Sequence, residues 1–346
     1  MRNPEANRLL LRLAGFLPLV GALLLIDWIS LQPAGRHLLA GSLDGAANAM
    51  VAGKTIWSRV AALYIKPVWI EHLQSRPEVV VLGSSRAIQV SQEWFRPRTM
   101  LNAALLQGDF QDAVAIFEEC LETGKTPREV VLEVNPSLAY ADKARVSPAL
   151  ASYFRHALVR YRMFPRIFFS GPLTLEGVRW DARIYSKGAV WRVAQKFESD
   201  GYLYRPDGSM DWSVTESSNT PDEVERGARS EMVHLDPEHQ LWRATSQPGW
   251  FDRKIWQAFM DDLRGRGIRV VLLLVPVHPA AYDFYRRQGG YDDTWLRSDA
   301  QRRGITVVGS YSPGAAKVTR EDFYDDVHVH AEVLHRLLRE GGVVRF

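Results

Sequence analysis

Short apolar runs alternate with amphipathic segments in two parts of the chain. Residues 78–82 (EVVVL), 128–134 (REVVLEV) and 268–277 (IRVVLLLVPV) are typical of strands buried on both faces of a sheet. Weaker strands are predicted at 99–105 and 304–309. Helical spacing of apolar residues predicts helices at 109–125, 253–267 and 331–341. This alternation predicts an α/β fold, with a parallel sheet between two helical layers.

Two segments depart from that alternation. Residues 32–76 contain a stretch, 41–74, whose apolar positions predict an amphipathic helix that serves as a stalk or as a first packing helix. Residues 140–255 are irregular and rich in aromatic residues, which predicts a large mixed insertion within the α/β domain. Its aromatic rings suit two roles, stacking on sugar rings or forming the insertion's own core.

The N-terminal segment, residues 1–31, has the pattern of a membrane anchor. Arg2, Arg8 and Arg12 precede an uncharged stretch from Leu13 to Ile26, and the flanking apolar residues extend it to about 20 residues, enough to span a bilayer. The preceding arginines predict a cytoplasmic N-terminus, so the rest of the chain is expected outside a bacterial inner membrane, in the periplasm. A cleaved signal peptide and a buried globular helix remain alternatives.

Composition narrows the class of protein. The chain has 346 residues, of which 46% are hydrophobic and 24% charged, so it can bury a large core. A net charge of +3 does not indicate a nucleic-acid-binding protein. The single cysteine, Cys120, permits neither an internal disulfide nor a cysteine-based zinc site, and its place on an apolar helical stripe predicts a core residue.

Polar residues cluster where the predicted strands end. Ser85 lies in the stretch GSSR after the first strand, Gly108 follows the second, and Asn135 follows the third. Asp325 and His328 have the spacing Asp-x-x-His before the last helix. Because the carboxyl ends of parallel strands meet at one edge of a sheet, these residues are expected to lie together.

Their chemistry matches acyl transfer through a serine nucleophile. Ser85 is the candidate nucleophile, His328 its base, and Asp325 the group that orients the base. The Ser85 and Gly108 backbone N–H groups and the Asn135 side-chain amide are candidate oxyanion donors. A plain turn at Ser85 and a helix cap at Asp325 are the structural alternatives. No metal and no cofactor are predicted.

Three further residues are candidate substrate-binding groups. Arg86 either binds an anionic group or pairs with a carboxylate that fixes the turn. Asn102 either contacts substrate or is a satisfied loop residue, and His278, at the end of a strand, either lines the pocket or is structural.

In this order, the motifs resemble those of the SGNH (GDSL-like) hydrolase superfamily. The nucleophile block corresponds to Gly83-Ser84-Ser85, the glycine block to Asn102 and Gly108, and the last block to Asp325-Asp326-Val327-His328. Asn135 occupies the asparagine of the Gly-x-Asn-Asp block. Ser84 stands where the family usually has an acidic residue, and Glu133 stands where it has glycine. The resemblance covers roughly residues 78–136 and 268–340 of the proposed 77–346 domain and implies a flavodoxin-like three-layer α/β/α fold.

The stretch VVVLGSSR behind an N-terminal anchor resembles the envelope-modifying branch of that superfamily. This branch includes teichoic-acid D-alanine transfer proteins and periplasmic alginate O-acetyltransferases. The resemblance implies an O-acyltransferase that acts on an envelope polysaccharide and works with a membrane-bound O-acyltransferase. A carbohydrate esterase, a non-catalytic assembly protein and, more weakly, a phosphate-binding protein are the alternatives.

Overall fold

A computed structural model describes residues 43–60, 62–106, 108–135, 150–163, 191–194, 201–211, 219–234, 250–287 and 291–345, with Pro18 and Val146 as isolated positions. No helix in these ranges is long and apolar enough to cross a membrane. The predicted anchor at 1–31, apart from Pro18, and much of the predicted insertion lie outside the described residues.

The described elements alternate between helices and strands. The helices are α1 Asp44–Val51, α2 Ala62–His72, α3 Phe110–Glu122, α4 Ala151–Arg160, α5 Pro221–His234, α6 Trp250–Gly265, α7 Pro279–Arg287, α8 Thr294–Arg303 and α9 Ala331–Glu340. The strands are β1 Ile56–Ser58, β2 Val79–Leu82, β3 Met100–Asn102, β4 Glu129–Glu133, β5 Trp191–Val193, β6 Tyr202–Tyr204, β7 Arg269–Leu274 and β8 Thr306–Gly309.

Five strands form a parallel sheet in the order β3-β2-β4-β7-β8. Numbered along the chain, this is the doubly wound order 2-1-3-4-5, in which the first connection runs one way and the later ones run the other. The register pairs Leu82 with Leu132 and Leu132 with Leu272. The carboxyl ends of β2, β4 and β7 are therefore adjacent, and the order reverses between β2 and β4.

The sheet lies between two hydrophobic cores, as its continuous apolar strands predict. Successive strand residues point to opposite faces: Val80 and Leu82 join one core, whereas Val79 and Val81 join the other. The first core also receives helices α1 to α4 and α6 to α8, and includes the buried Cys120. The second receives α9 and Val224 of α5. This arrangement is consistent with a three-layer α/β/α fold.

The segment predicted as one helix at 41–74 is instead two helices separated by strand β1. This strand pairs antiparallel with β5 and β6 in a small second sheet, so its register depends on partners more than 100 residues away. Both helices pack into the first core, which favours the packing role over a stalk. Helices α7 and α8 were not predicted. The predicted strand at 268–277 ends at Leu274.

Candidate active site

The nucleophile turn, defined here as residues 83–86, leaves β2 at the edge where the strand order reverses. Gly83 has φ of +139°, and a Cβ on it would lie 2.6 Å from the Glu133 Cβ. Only glycine fits this backbone without strain and without a clash. Ser85 then begins a short 3-10 helix, Ser85–Ala87, whose first turn is capped by Ser84 Oγ accepting from the Arg86 N–H at 3.3 Å.

Glu133, at the end of β4, holds this turn from the neighbouring strand. Its Oε2 accepts hydrogen bonds from the Ser84 N–H at 2.7 Å and the Ser84 hydroxyl at 2.8 Å. Burial raises the pKa of Glu133, although the Arg86 charge and the two Ser84 bonds oppose that rise. Ser84 is thereby directed inward, which leaves Ser85 as the hydroxyl that faces the histidine.

The structure brings Ser85, His328 and Asp325 into one hydrogen-bonded chain. Ser85 Oγ lies 2.8 Å from His328 Nε2, and His328 Nδ1 lies 2.7 Å from Asp325 Oδ2. A carboxylate only accepts, so Nδ1–H donates to Asp325 and Nε2 is left to accept the Ser85 proton. This is the geometry and tautomer that a serine nucleophile with a histidine base requires.

The histidine loop, defined here as residues 322–330, presents this pair at the tip of a short hairpin. Phe323 and Val329 form a β-bridge below the tip. Within the tip, Asp325 Oδ1 accepts from the backbone N–H groups of Val327 at 2.8 Å and His328 at 2.6 Å. The same carboxyl group thus shapes the loop with one oxygen and orients the imidazole with the other.

Two further contacts hold the imidazole and its loop. The buried Tyr324 ring stacks on the His328 ring, with centroids 5.7 Å apart and planes 9° apart. Asn219, which precedes α5, donates from Nδ2 to the Tyr324 carbonyl at 3.0 Å. A described part of the predicted insertion therefore contacts the histidine loop directly.

The environment of Asp325 favours its charged form. Burial alone would raise its pKa, but the His328 ring and the two backbone N–H donors outweigh burial, so the pKa of Asp325 is lowered. An ionised Asp325 stabilises the imidazolium that forms when His328 takes a proton.

The predicted oxyanion donors differ in their positions. The Ser85 N–H has no hydrogen-bond acceptor within the described residues. Gly108 lies near the turn, since a Cβ on it would be 3.1 Å from the Gly83 carbonyl oxygen, but its N–H donates to the Leu105 carbonyl at 3.2 Å. Asn135 is partly buried and follows β4, next to the turn. Gly108 must break its bond to Leu105 before it can serve as a donor.

Arg86 and Asn102 support the turn instead of facing a ligand. Arg86 is buried, and its Nη2 donates to the carbonyls of Val275 at 2.7 Å and Pro276 at 2.6 Å. The predicted pairing with a carboxylate is thus replaced by two carbonyl contacts, although Arg86 does lower the pKa of the nearby Glu133.

Asn102 is fully buried, which is not a position from which it can contact substrate. Its Nδ2 donates to the carbonyls of Ala87, Ile88 and Val90, and its Oδ1 accepts from the Ala104 N–H at 3.0 Å. Of the two roles predicted for Asn102, the satisfied loop residue fits this geometry, because Nδ2 fixes the backbone after the nucleophile and Oδ1 binds the backbone after β3.

His278 follows β7 on the same edge of the sheet. It is buried, its ring meets the Phe323 ring edge-on at 5.2 Å, and its Nδ1 accepts from the Ala280 N–H at 3.3 Å. It contacts the histidine loop through Phe323 but takes no part in the Ser85–His328–Asp325 chain.

Sequence reasoning missed the roles of Glu133 and Tyr324. Glu133 had a signal in the sequence, because the motif lacks its usual acidic residue at Ser84 and has one at Glu133 instead. The adjacent parallel strands β2 and β4 bring these two positions together. Tyr324 had no comparable signal, because its contact with His328 depends on the hairpin of the histidine loop.

A comparison of the chain with protein-family models and with curated proteins gives no match. The functional interpretation therefore rests on the geometry of the site. A hydroxyl, an imidazole and a carboxylate in this order are suited to forming and breaking an acyl ester.

Proposed function

We propose that this protein is an SGNH-type O-acyltransferase that modifies an envelope polysaccharide through an acyl ester on Ser85. The observation that carries the proposal is the 2.8 Å contact between Ser85 Oγ and His328 Nε2, with Asp325 on the opposite ring nitrogen. A non-catalytic assembly role requires no such contact, and Ser85 and His328 are 243 positions apart in the chain. The 2-1-3-4-5 strand order, which is the flavodoxin-like one, also supports an SGNH-type fold.

The proposed reaction has two half-steps. Ser85 Oγ attacks the carbonyl carbon of the acyl donor while its proton passes to His328 Nε2, and the leaving group departs with that proton. A sugar hydroxyl then attacks the acyl-Ser85 ester, loses its proton to Nε2, and Ser85 recovers that proton as the new ester leaves. The Ser85 N–H and the Asn135 amide are the nearest candidates to hold each oxyanion.

The remaining parts of the proposal come from the sequence. The pattern at 1–31 supports a single-pass anchor in a bacterial inner membrane, with the domain at 77–346 in the periplasm. An acyl donor on the cytoplasmic side then has to be delivered across the membrane, which is the task proposed for a membrane-bound O-acyltransferase partner.

Labelling with a fluorophosphonate tests the nucleophile. We expect the full-length protein to be labelled at Ser85, and Ser85→Ala to lose labelling completely, because Ser85 carries the hydroxyl that contacts His328 Nε2. Ser84→Ala is the matched control: Ser84 faces Glu133, so labelling should persist. Labelling that is absent from the wild type, or equal in Ser85→Ala, would contradict the proposal.

An acceptor assay separates transfer from hydrolysis. With p-nitrophenyl acetate and an oligosaccharide acceptor, a transferase yields acetylated oligosaccharide that mass spectrometry detects. A carbohydrate esterase yields acetate alone and instead removes acetyl groups from an acetylated oligosaccharide.

A further inference from the structure

A groove lies beside the Ser85–His328–Asp325 chain and is not used by the proposed mechanism. Its volume is about 380 Å³, within the range of small-molecule sites. Helix α5, the start of α7 and the turn at 319–321 form its walls. Its charged lining residues are Glu225, Arg229, Asp283, Arg320 and Glu321, and His278 also lines it.

His278 presents an unsatisfied donor at this groove. The residue is buried, with 1% of its surface exposed. A backbone amide can only donate, so the bond from the Ala280 N–H makes Nδ1 the acceptor and leaves the hydrogen of the neutral ring on Nε2. Burial lowers the pKa of His278, which favours this neutral ring. Nε2 has no hydrogen-bond partner within the described residues. Nε2 is also shielded from solvent, so a ligand oxygen in the groove satisfies it once the wall moves enough to uncover it.

The charges of the groove argue against an anionic ligand. Arg229 Nη2 pairs with Glu225 at 2.7 Å, and Arg320 pairs with Glu225 and Glu321, each at 2.9 Å. Both guanidinium groups are thus already neutralised by carboxylates. Asp283 is exposed and makes no ion pair with a described residue, so it adds free acceptor oxygens.

The His278 donor and the Asp283 acceptor oxygens together complement hydroxyl groups. A sugar hydroxyl donates one hydrogen bond and accepts others, so it can donate to Asp283 and accept from His278 Nε2–H. An acidic sugar would meet the carboxylates of Glu225, Asp283 and Glu321 at close range, which is unfavourable. The preferred ligand is therefore an uncharged sugar residue.

The groove and the triad share one segment of chain. Thr319 to Glu321 line the groove, and the same chain continues into the histidine loop. Phe323 packs on His278, while the next residue, Tyr324, stacks on His328. We propose that this groove, with His278 in its wall, is a subsite for an uncharged sugar residue of the acceptor polysaccharide. The link to acyl transfer rests on the proposed function, whereas sugar binding itself does not.

Binding to the full-length Ser85→Ala protein in detergent tests the subsite without turnover. The probes are cellotetraose and maltotetraose, with tetragalacturonate as the anionic comparison, and saturation-transfer difference NMR reports binding. We expect the uncharged probes to bind more tightly than tetragalacturonate. Asp283→Asn should weaken their binding about tenfold, the loss typical of one hydrogen bond to a charged group. Asp261→Asn, an exposed carboxylate on α6 outside the groove, is the matched control.

A pair of His278 variants tests the donor. His278→Asn keeps an acceptor near Nδ1 and removes the Nε2 donor, so binding should fall, whereas His278→Gln, which restores an amide N–H at longer reach, should recover part of it. Circular dichroism checks folding, and the exposed Asp283 keeps the test valid should the histidine variants unfold. No binding of either uncharged probe, tighter binding of tetragalacturonate, or equal binding by Asp283→Asn and Asp261→Asn would overturn the subsite.

The two proposals fail separately. Sugar binding by Ser85→Ala without fluorophosphonate labelling of the wild type would keep the subsite and remove the acyl chemistry. Labelling of Ser85 without sugar binding would do the reverse.

Discussion

The nucleophile turn and the histidine loop meet at one hydrogen bond but are held in different ways. The turn is buried and fixed by groups distant in sequence: Glu133 binds Ser84, and Arg86 reaches the carbonyls of Val275 and Pro276. The histidine loop is more exposed, and most of its hydrogen bonds join residues two to eight positions apart, such as those that Asp325 makes.

The two segments are therefore positioned by different kinds of contact. The turn is positioned by the sheet, so disturbing it should also cost free energy of unfolding. The histidine loop is a local unit added to the sheet's edge, so disturbing it should affect activity far more than stability.

The largest effect is expected from the histidine and its orienting carboxylate. His328→Ala should lower kcat/KM for p-nitrophenyl acetate by roughly 10⁴-fold to 10⁶-fold, because the base is lost. Asp325→Asn should lower it by about 10⁴-fold. The asparagine carbonyl can keep the bonds to the Val327 and His328 N–H groups, but its amide donates to Nδ1 and so places the proton on Nε2, the wrong tautomer.

Asp326→Asn is the control for that pair, since Asp326 is the next residue and makes no hydrogen bond to the imidazole in the described part of the chain. Its activity should stay within a few-fold of wild type, and all three variants should unfold at similar denaturant concentrations. An Asp325→Asn variant as active as Asp326→Asn would mean that Asp325 only caps the loop.

The second prediction concerns the turn. Glu133→Ala should lower the free energy of unfolding by about 2–5 kcal/mol, since it leaves two Ser84 donors unsatisfied and opens a cavity. Glu133→Gln keeps an acceptor for Ser84 without a buried charge, so its stability should stay close to wild type. Urea denaturation at pH 7 measures both, and equal loss in the two variants would assign the effect to the carboxylate charge beside Arg86 instead of to packing or to an acceptor for Ser84.

Much of this sheet is predictable from the sequence because each strand is a continuous apolar run. The predictions fail where distant polar groups intervene. The strand predicted at 268–277 ends at Leu274, since Pro276 has no N–H to give to a ladder and Arg86 takes the carbonyls of Val275 and Pro276. Strand β1 escaped prediction because three residues carry little periodicity and its partners lie far along the chain.

The residues of the candidate site also differ in whether the sequence alone could predict their roles. Asp325 and His328 were predictable from a local spacing, and Ser85 from the glycine turn after an apolar strand. The supports of Ser85 were not, because Glu133, Arg86 and Asn102 act through contacts that only the folded sheet creates. For Asn102 and Arg86 the sequence left substrate binding and a structural role both open, because it carries no signal of those buried partners.

A pH-dependent effect is expected from the same buried scaffold. Lys66 is fully buried, and its Nζ donates to Asn102 Oδ1 at 3.4 Å and to the Ala104 carbonyl. Burial lowers the pKa of Lys66 to about 7, although the Asp207 charge opposes this. Between pH 7 and the ordinary lysine pKa, the unfolded chain binds more protons than the folded chain, so stability rises with pH, by up to about 1.4 kcal/mol per pH unit.

Urea denaturation from pH 7 to 8.5 measures that slope, and Lys66→Met should reduce it. Cys120 gives a slope of opposite sign as pH 8.5 is approached, because burial raises its pKa in the folded chain while the unfolded thiol, with an ordinary pKa of about 8.5, begins to ionise. Lys66→Met retains Cys120, so the difference in slope between the variant and wild type isolates Lys66. The same slope in Lys66→Met and wild type would show that Lys66 folds with its charge retained.

The smallest effect is expected where the predicted insertion contacts the histidine loop. Asn219→Ala removes the bond from Nδ2 to the Tyr324 carbonyl, and the exposed position of Asn219 lets water replace it, so the free energy of unfolding should fall by only about 0.5–1 kcal/mol. Gln74→Ala removes a comparable exposed amide-to-carbonyl bond at His72, away from the site, and is the matched control.

If Tyr324 transmits the contact to the His328 ring, Asn219→Ala should lower kcat/KM several-fold while Gln74→Ala leaves it unchanged, with both proteins equally stable. A stability loss as large as that of Glu133→Ala would instead mean that the histidine loop, like the nucleophile turn, is part of the cooperative core, and the contrast between the two segments would not hold.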